Sequence, residues 1–424
     1  MGHDTLAAAQ QKLERVRDEL NTLVLEGEDR IDVMLAALLA RQHVVLLGPP
    51  GVAKSMLARL AAARLPTGAN SYFEWLMTRF STPDELFGTP KMSALQQDRL
   101  ERNTDGKLPT ASIVFLDEVF KGSGIILNTL LSAMQDRVFH NGSGAQKIPL
   151  QTLIGASNEM PADDESGALW DRFLFRMDLR PLQTDAAREA LFSLPGGQVQ
   201  HAFTADELAA LQHEVDRRVR SDDRRALITP LLTLQTQCRD ADIEVSDRRI
   251  RQAMRACAAW SVVMGDDALH PGTLDVLKWV LWNTPDQQAA VSSMVEKAID
   301  TRWVDLRRTR TDLARQVADF GALNLSAQAG FDRAVTLFET AERLQDAAQR
   351  HANELGTPSA AKIAAAVAGM VQRMDDALVA ARAGTTPPSA VAPAPAPVAE
   401  PETITTEAPT PAPRRRGRPV PTSL

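Results

Sequence analysis

Short apolar runs alternate with helix-like segments through the first 180 residues. The runs lie at 43–47, 71–76, 113–116, 152–156 and 173–177. Each has the length of a buried strand. Ahead of them, Leu13, Val16, Leu20 and Leu23 recur at steps of three and four, and a second helix is expected at about 28–41. This alternation predicts an α/β domain over residues 1–182 with a mainly parallel sheet.

The rest of the chain has a different pattern. Helical periodicity replaces strand-like runs at 183–285, where Thr204 and Glu207 are spaced as a capping box, so a smaller helical domain is expected. Residues 286–384 contain three long amphipathic segments, which predict a helical bundle or coiled coil, with a dedicated partner-binding arm as the alternative. Of the 25 prolines in the chain, 11 follow Thr386. Residues 385–424 are therefore expected to be a disordered linker with a basic end.

Composition excludes several classes of protein. With 424 residues and 44% hydrophobic side chains the chain can build two or three cores. A net charge of −7 gives no general attraction to DNA or anionic lipid. Two cysteines without CxxC spacing indicate a reducing compartment, and neither a signal peptide nor an apolar run of about 18 residues is visible, so we expect a cytoplasmic protein without a membrane span.

The clearest chemistry is a phosphate-binding loop between the first strand and a helix. The residues are Gly48, Pro49, Pro50, Gly51, Val52, Ala53, Lys54, Ser55 and Met56. In such a loop, backbone N–H groups surround phosphates, Lys54 neutralises β- and γ-phosphate charge, and the Ser55 hydroxyl ligates Mg²⁺. Ala53 stands where this motif usually has its last glycine, and a methyl group is tolerable there if φ is negative. ATP and Mg²⁺ are the predicted cofactors.

Two acids end the strand at 113–116. Asp117 can hold the hydrated Mg²⁺, and Glu118 can orient and deprotonate an attacking water, which favours hydrolysis over phosphotransfer. Asn158 ends another strand and can position water or contact the γ-phosphate. Arg172 precedes the last strand, and Arg248 opens a helix of the second domain. Asp163 to Glu165 are expected to form a solvated loop.

The order of these motifs resembles AAA+ ATPases. More narrowly, the chain resembles the MoxR family and its RavA subgroup over about residues 5–285. The motifs that carry this resemblance are GPPGVAKS, the run at 76–88, FLDE, ILNTLL at 126–131, SNE at 157–159 and VSDRR at 245–249. The resemblance implies a five-stranded core, a helical lid, and a ring, usually of six subunits, with ATP at the interfaces. It also implies a partner with a von Willebrand factor A domain and a protein client.

Residue roles follow from the same resemblance. Lys54 and Ser55 correspond to Walker A, Asp117 and Glu118 to Walker B, and Asn158 to sensor 1. Arg172 corresponds to an arginine finger that reaches the γ-phosphate of a neighbour. Arg248 corresponds to sensor 2, although Arg249 could serve instead, and the choice between the subunit's own nucleotide and a neighbour's stays open.

Two insertions are candidates for contact with a client. A capping box at Thr82–Glu85 begins a helix, after which residues 88–107 loop out, and Arg137 to Pro149 is expected to form a hairpin around Asn141-Gly142. Ordinary surface loops are the alternative. Two other functions compete with the chaperone: a nucleic-acid remodeller using Arg414–Arg418, which resembles an AT-hook, and a nucleotide-gated scaffold. The first is disfavoured by the acidic folded part, the second by the intact Glu118 and Asn158.

Overall fold

A computed structural model describes residues 3–66, 72–142, 144–161, 163–194, 200–321 and 323–383. These residues fall in one compact unit. The predicted linker at 385–424, including Arg414–Arg418, lies outside the described residues. In the part of the chain that is described, no helix is long and apolar enough to cross a membrane.

Five parallel strands form the central sheet, as predicted. They are β1 (His43–Leu47), β2 (Tyr72–Leu76), β3 (Ile113–Asp117), β6 (Thr152–Ser157) and β7 (Phe173–Asp178), and their spatial order is β2-β3-β6-β1-β7. The interior strands are buried on both faces, which explains why they are continuous apolar runs rather than alternating ones. The remaining strands, β4 (Val138–Asn141) and β5 (Gly144–Lys147), form the predicted hairpin.

Helices cover the sheet and connect its strands. They are α1 (His3–Leu23), α2 (Glu28–Ala40), α3 (Lys54–Ala62), α4 (Pro83–Phe87), α5 (Met92–Leu95), α6 (Gly124–Asp136) and α7 (Asp164–Arg172). Thr82 and Glu85 form the predicted capping box, with Pro83 at the first helical position. The expected loop at 163–165 is wrong: Asp163 caps α7 by accepting from the Ser166 N–H at 2.8 Å, so these acids begin a helix.

A second set of helices follows the sheet. It comprises α8 (Asp185–Ala190), α9 (Ala205–Arg220), α10 (Arg225–Asp240), α11 (Asp247–Met264), a long 3₁₀ helix (Pro271–Trp279) and α12 (Gln288–Ala298). Thr204 and Glu207 cap α9 as predicted. Helix α11 packs on α2 and α9, and α12 packs on the 3₁₀ helix. The helical character predicted for this segment is therefore confirmed.

The last described residues form a three-helix bundle. Its helices are α13 (Thr301–Gly321), α14 (Gln328–Leu355) and α15 (Pro358–Arg382), each packed on the other two. Ala334, Ala341 and Ala348 of α14 are fully buried and recur every seven residues, so small side chains line a close helix–helix contact. The bundle predicted from periodicity is confirmed. Ion pairs Arg307–Asp275 and Lys362–Glu14 connect it to the 3₁₀ helix and to α1.

Candidate active site

The loop after β1 has the backbone that a phosphate cradle needs. Gly48 and Gly51 have φ of +146° and +85°. A Cβ at Gly48 would lie 2.3 Å from the carbonyl oxygen of Leu179, so only glycine fits, whereas the space beside Gly51 is open. Ala53 has φ +64°, in the left-handed region. The condition of a negative φ at Ala53 is therefore not met, and the methyl group is accommodated with strain.

Lys54 lies in the first turn of α3 and is 8% exposed. Its ammonium donates to the Gly48 carbonyl oxygen at 2.6 Å and to the side-chain oxygen of Asn158. Burial lowers the pKa of Lys54, and the carboxylates of Asp117 and Glu118 oppose that shift. The cation therefore lies between the loop and the two acids, where it can neutralise phosphate charge.

The Walker-type acids lie where β3 ends. Glu118 has φ +52°, an unusual conformation for this residue type, and its N–H donates to the Asp117 carboxylate at 3.0 Å. One carboxylate oxygen of Glu118 accepts from the Asn158 amide at 2.5 Å, and the other lies 3.2 Å from the Lys121 ammonium. The structure thus joins Lys54, Asn158, Glu118 and Lys121 in one line of contacts. Sequence reasoning found the first three and missed Lys121.

These residues fit a nucleoside triphosphate with Mg²⁺. Open space at Gly51, the cation of Lys54 and the carboxylate of Asp117 lie together at the carboxyl ends of β1 and β3. Ser55 is half-buried in the first turn of α3, one residue after Lys54. Oxygen ligands of this kind suit Mg²⁺.

Arg172 lies at the amino ends of the strands, which we call the amino edge of the sheet. The phosphate loop lies at their carboxyl ends, the carboxyl edge. It is the last residue of α7 and directly precedes Phe173, which pairs with His43 at the amino end of β1. Its guanidinium donates to the Gln135 side chain of α6 at 3.2 Å. The five residues of β1 span about 17 Å at about 3.3 Å each, and Gly48 follows its far end. The structure therefore does not bring Arg172 to the phosphate loop of its own chain.

Arg248 lies beside Arg172, also far from the loop. The side chains of Arg172 and Arg248 approach the Asp171 carboxylate at 3.7 and 3.9 Å. Arg248 also lowers the pKa of His43, after burial and Arg137, which places it near the amino end of β1. Arg172 from α7 and Arg248 from α11 thus lie side by side at the amino edge of the sheet.

Arg249, in contrast to Arg248, is buried and bonded within the protein. It is 3% exposed, donates to the Val280 carbonyl at 2.9 Å and pairs with Asp171 at 3.1 Å, whereas Arg248 is 34% exposed. Of the two arginines left open by the sequence, only Arg248 is accessible to a ligand. Asp171, which contacts all three arginines, was missed, and its adjacency to Arg172 was the one available signal.

The two candidate insertions form one unit. The Asn141 side chain accepts from the Arg102 N–H at 2.7 Å and donates to its carbonyl at 3.2 Å. The Arg102 guanidinium in turn contacts Asp84 and the Gly88 carbonyl. These contacts join three segments, which we call the insert unit: hairpin β4–β5, residues 88–107 and α4. Met92 and Leu100 on it are 70% and 55% exposed.

The strand order, the phosphate loop and the acid pair define a P-loop ATPase of the AAA+ class. Residues 11–217 match the family model described as the MoxR domain in the MoxR-vWA-beta-propeller ternary systems, and residues 226–295 match an AAA lid domain. The chain belongs to the MoxR family of AAA+ ATPases.

The chain is also similar to individual proteins. The chain is 40% identical over 287 residues to the uncharacterized protein MJ0812 of Methanocaldococcus jannaschii, covering 67% of this chain and 75% of that one. It is 29% identical over 218 residues to chaperone MoxR1 of Mycobacterium tuberculosis, covering 50% and 56%. A solved structure assigned as an ATPase of Cytophaga hutchinsonii has a TM-score of 0.55 at 17% identity, covering 70% and 95%, and supports the fold.

Proposed function

We propose that this protein is an ATP-hydrolysing MoxR-type chaperone whose subunits assemble into a ring, with six members by resemblance, and share each ATP site between neighbours. The observation that carries the proposal is the separation of the two halves of the site. Lys54 and Glu118 lie at the carboxyl edge of the sheet, and Arg172 and Arg248 lie at the amino edge. One chain cannot place both halves on one nucleotide, whereas two neighbours can.

Each half has a separate task in this proposal. The loop and Lys54 bind and orient the triphosphate, Ser55 and Asp117 hold Mg²⁺, and Mg²⁺ supplies neutralisation of phosphate charge when bound. Glu118 accepts the proton of the attacking water, while Asn158 fixes the carboxylate through the contact at 2.5 Å. Arg172 and Arg248 of the neighbour stabilise charge on the transferred phosphoryl group.

The contacts of Lys54 supply a link between nucleotide and base. Lys54 donates to Asn158, and Asn158 donates to Glu118. A γ-phosphate competes with Asn158 for the same ammonium, so nucleotide binding releases Asn158 from Lys54, while the separate amide donation from Asn158 keeps Glu118 in place. Proton transfer by a positioned base typically contributes 10²–10⁴-fold to a rate, about what Glu118 would supply.

A protein partner with a von Willebrand factor A domain is part of the proposal. Its support is the description of the matching family model, which names such systems. The RavA-like subgroup is likewise proposed, on the motifs at 76–88 and 126–131. The exposed Met92 and Leu100 make the insert unit the expected contact for a client.

Two variants test the function. Lys54→Ala removes the phosphate cation and should abolish nucleotide binding, whereas Glu118→Gln should bind ATP normally and lower turnover by at least about 10²-fold. Lys297→Ala, an exposed lysine on α12, is the matched control and should behave as wild type. With ATP bound, Glu118→Gln should retain the partner on affinity capture. Wild-type turnover by Glu118→Gln would overturn the assignment of the base.

A further inference from the structure

One carboxylate faces three guanidinium groups at the amino edge of the sheet. Asp171 pairs with Arg249 at 3.1 Å, and with Arg172 and Arg248 at 3.7 and 3.9 Å. Arg172 belongs to α7 and the other two to α11, so Asp171 is the shared counter-ion of two domains. The four side chains carry two net positive charges.

The position of Asp171 is unfavourable for the helix that contains it. An acidic side chain in the last turn of a helix faces the negative end of the helix dipole. The three arginines supply the compensating charge. Asp171 is also 39% exposed, so burial does not explain its presence either.

The Asp171 carboxylate offsets the electrostatic repulsion between Arg172 and Arg248. The pKa of Arg248 is lowered first by burial and then by the positive charge of Arg172, and Asp171 opposes both. Without that carboxylate, flexible Arg172 and Arg248 side chains would move apart to reduce repulsion. Their contacts with Asp171, together with the hydrogen bond from Arg172 to Gln135, hold them on one side of the molecule. There they are 24% and 34% exposed, and an anion from outside can reach them.

We propose that Asp171 is a positioning residue that aligns Arg172 and Arg248 for the triphosphate held by the neighbouring subunit. Arg249 serves as the buried end of this arrangement, because its bond to the Val280 carbonyl fixes Asp171 relative to the second domain. Asp171 touches no phosphate itself. The inference rests on the shared site proposed above.

The first test compares three substitutions of Asp171. Asp171→Asn keeps the shape and removes the charge, and should lower kcat by about tenfold to a hundredfold, the cost of misplacing a catalytic group by about 1 Å. Asp171→Ala should lose at least as much, and Asp171→Glu should recover part of it. The Kd for a fluorescent ATP analogue should stay unchanged, because the phosphate loop lies at the other edge.

Mixing variants distinguishes positioning from a general defect. Asp171→Ala subunits retain a normal loop, and Lys54→Ala subunits retain normal arginines, so mixed assemblies contain intact interfaces and should recover turnover. Arg172→Ala mixed with Lys54→Ala should recover for the same reason. Asp171→Ala mixed with Arg172→Ala should not, since both lack the same half of the site.

The outcomes separate this inference from the proposed function. If Arg172→Ala and Lys54→Ala fail to complement, the shared site is wrong, and this inference fails with it. If they complement but Asp171→Ala and Lys54→Ala do not, the shared site stands and the positioning role is overturned. Wild-type kcat for Asp171→Asn would overturn it as well.

A control variant addresses stability of the same helix. Asp163→Ala removes the N-cap of α7 without touching the arginines, and should lower thermal stability while kcat stays within about twofold of wild type at a temperature below unfolding. If Asp163→Ala loses kcat as Asp171→Asn does, the loss reports helix stability, and the positioning role is refuted.

Discussion

Replacing Asp275 with asparagine should loosen the C-terminal bundle from the rest of the molecule. Asp275 lies in the 3₁₀ helix Pro271–Trp279, is 2% exposed, and pairs with Arg307 of α13 and with Lys278 at 2.7 Å. Burial lowers the pKa of Arg307 to about 10, and its guanidinium also lies over the Trp260 ring at 5.4 Å. The substitution therefore leaves a mostly buried arginine without its ion-pair partner.

The size of the effect follows from these contacts. Breaking a buried ion pair by removing one partner costs about 3–5 kcal/mol. Lys278 keeps Glu296 as a second partner at 3.3 Å, and the carboxylates of Asp29 and Asp32 still favour the charge of Arg307, so the loss is only partly uncompensated. We therefore expect the lower end, about 3 kcal/mol. A loss of this size accelerates amide exchange through local opening by about 10²-fold.

Hydrogen exchange of α13 is the direct assay. Amides in this helix should exchange about 10²-fold faster in Asp275→Asn, while those of β1 and β6 stay unchanged. Asp300→Asn is the matched control: it removes one charge partner of Arg302 from a surface pair whose side chains are 33% and 40% exposed. Arg302 keeps Glu354 as a second partner, so exchange of α13 should change little. Acceleration below about tenfold in Asp275→Asn would refute the reasoning.

Three further predictions concern other parts of the chain. Ala53→Gly should relieve about 1–2 kcal/mol of left-handed backbone strain and lose about 0.4–1 kcal/mol to the greater entropy of the unfolded chain, so Tm should rise slightly. The control Ala63→Gly, at a position with φ −66°, should lower Tm. A lower Tm for Ala53→Gly would contradict the strain at this position. Burial and the neighbouring Arg137 depress the pKa of His43, so its contribution to stability is present above pH ~6.5 and declines below it by about 1.4 kcal/mol per pH unit, a slope that urea titrations of His43→Gln should lack. Asn141→Ala should speed exchange at residues 88–107 yet keep ATPase activity, since it removes two hydrogen bonds of the insert unit and none of the site; unchanged exchange would show that the two insertions move separately.

The features predictable from the sequence are those that depend on neighbouring residues along the chain. Strand lengths, the phosphate loop and the helix starts at Thr82 and Thr204 follow from local apolar runs and capping geometry. The φ of Ala53 was not predictable, because the turn into α3 sets it and the residue type argues against it.

Contacts between distant segments account for the rest. The choice between Arg248 and Arg249 depends on which one packs under Val280, 31 residues away. The arginine cluster around Asp171 requires α7 and α11 to meet, and the insert unit requires Asn141 to reach Arg102. Amphipathic periodicity indicates that a face is buried but does not identify the element that covers it.

The dependence of ATPase activity on assembly tests the shared site most directly. Turnover per subunit should be measured across a dilution series while light scattering reports the mass of the particles. Because Arg172 and the phosphate loop of one chain lie at opposite edges of its sheet, turnover per subunit should fall as assemblies dissociate, and the monomer should be nearly inactive. A constant turnover per subunit down to concentrations at which only monomers remain would contradict the account.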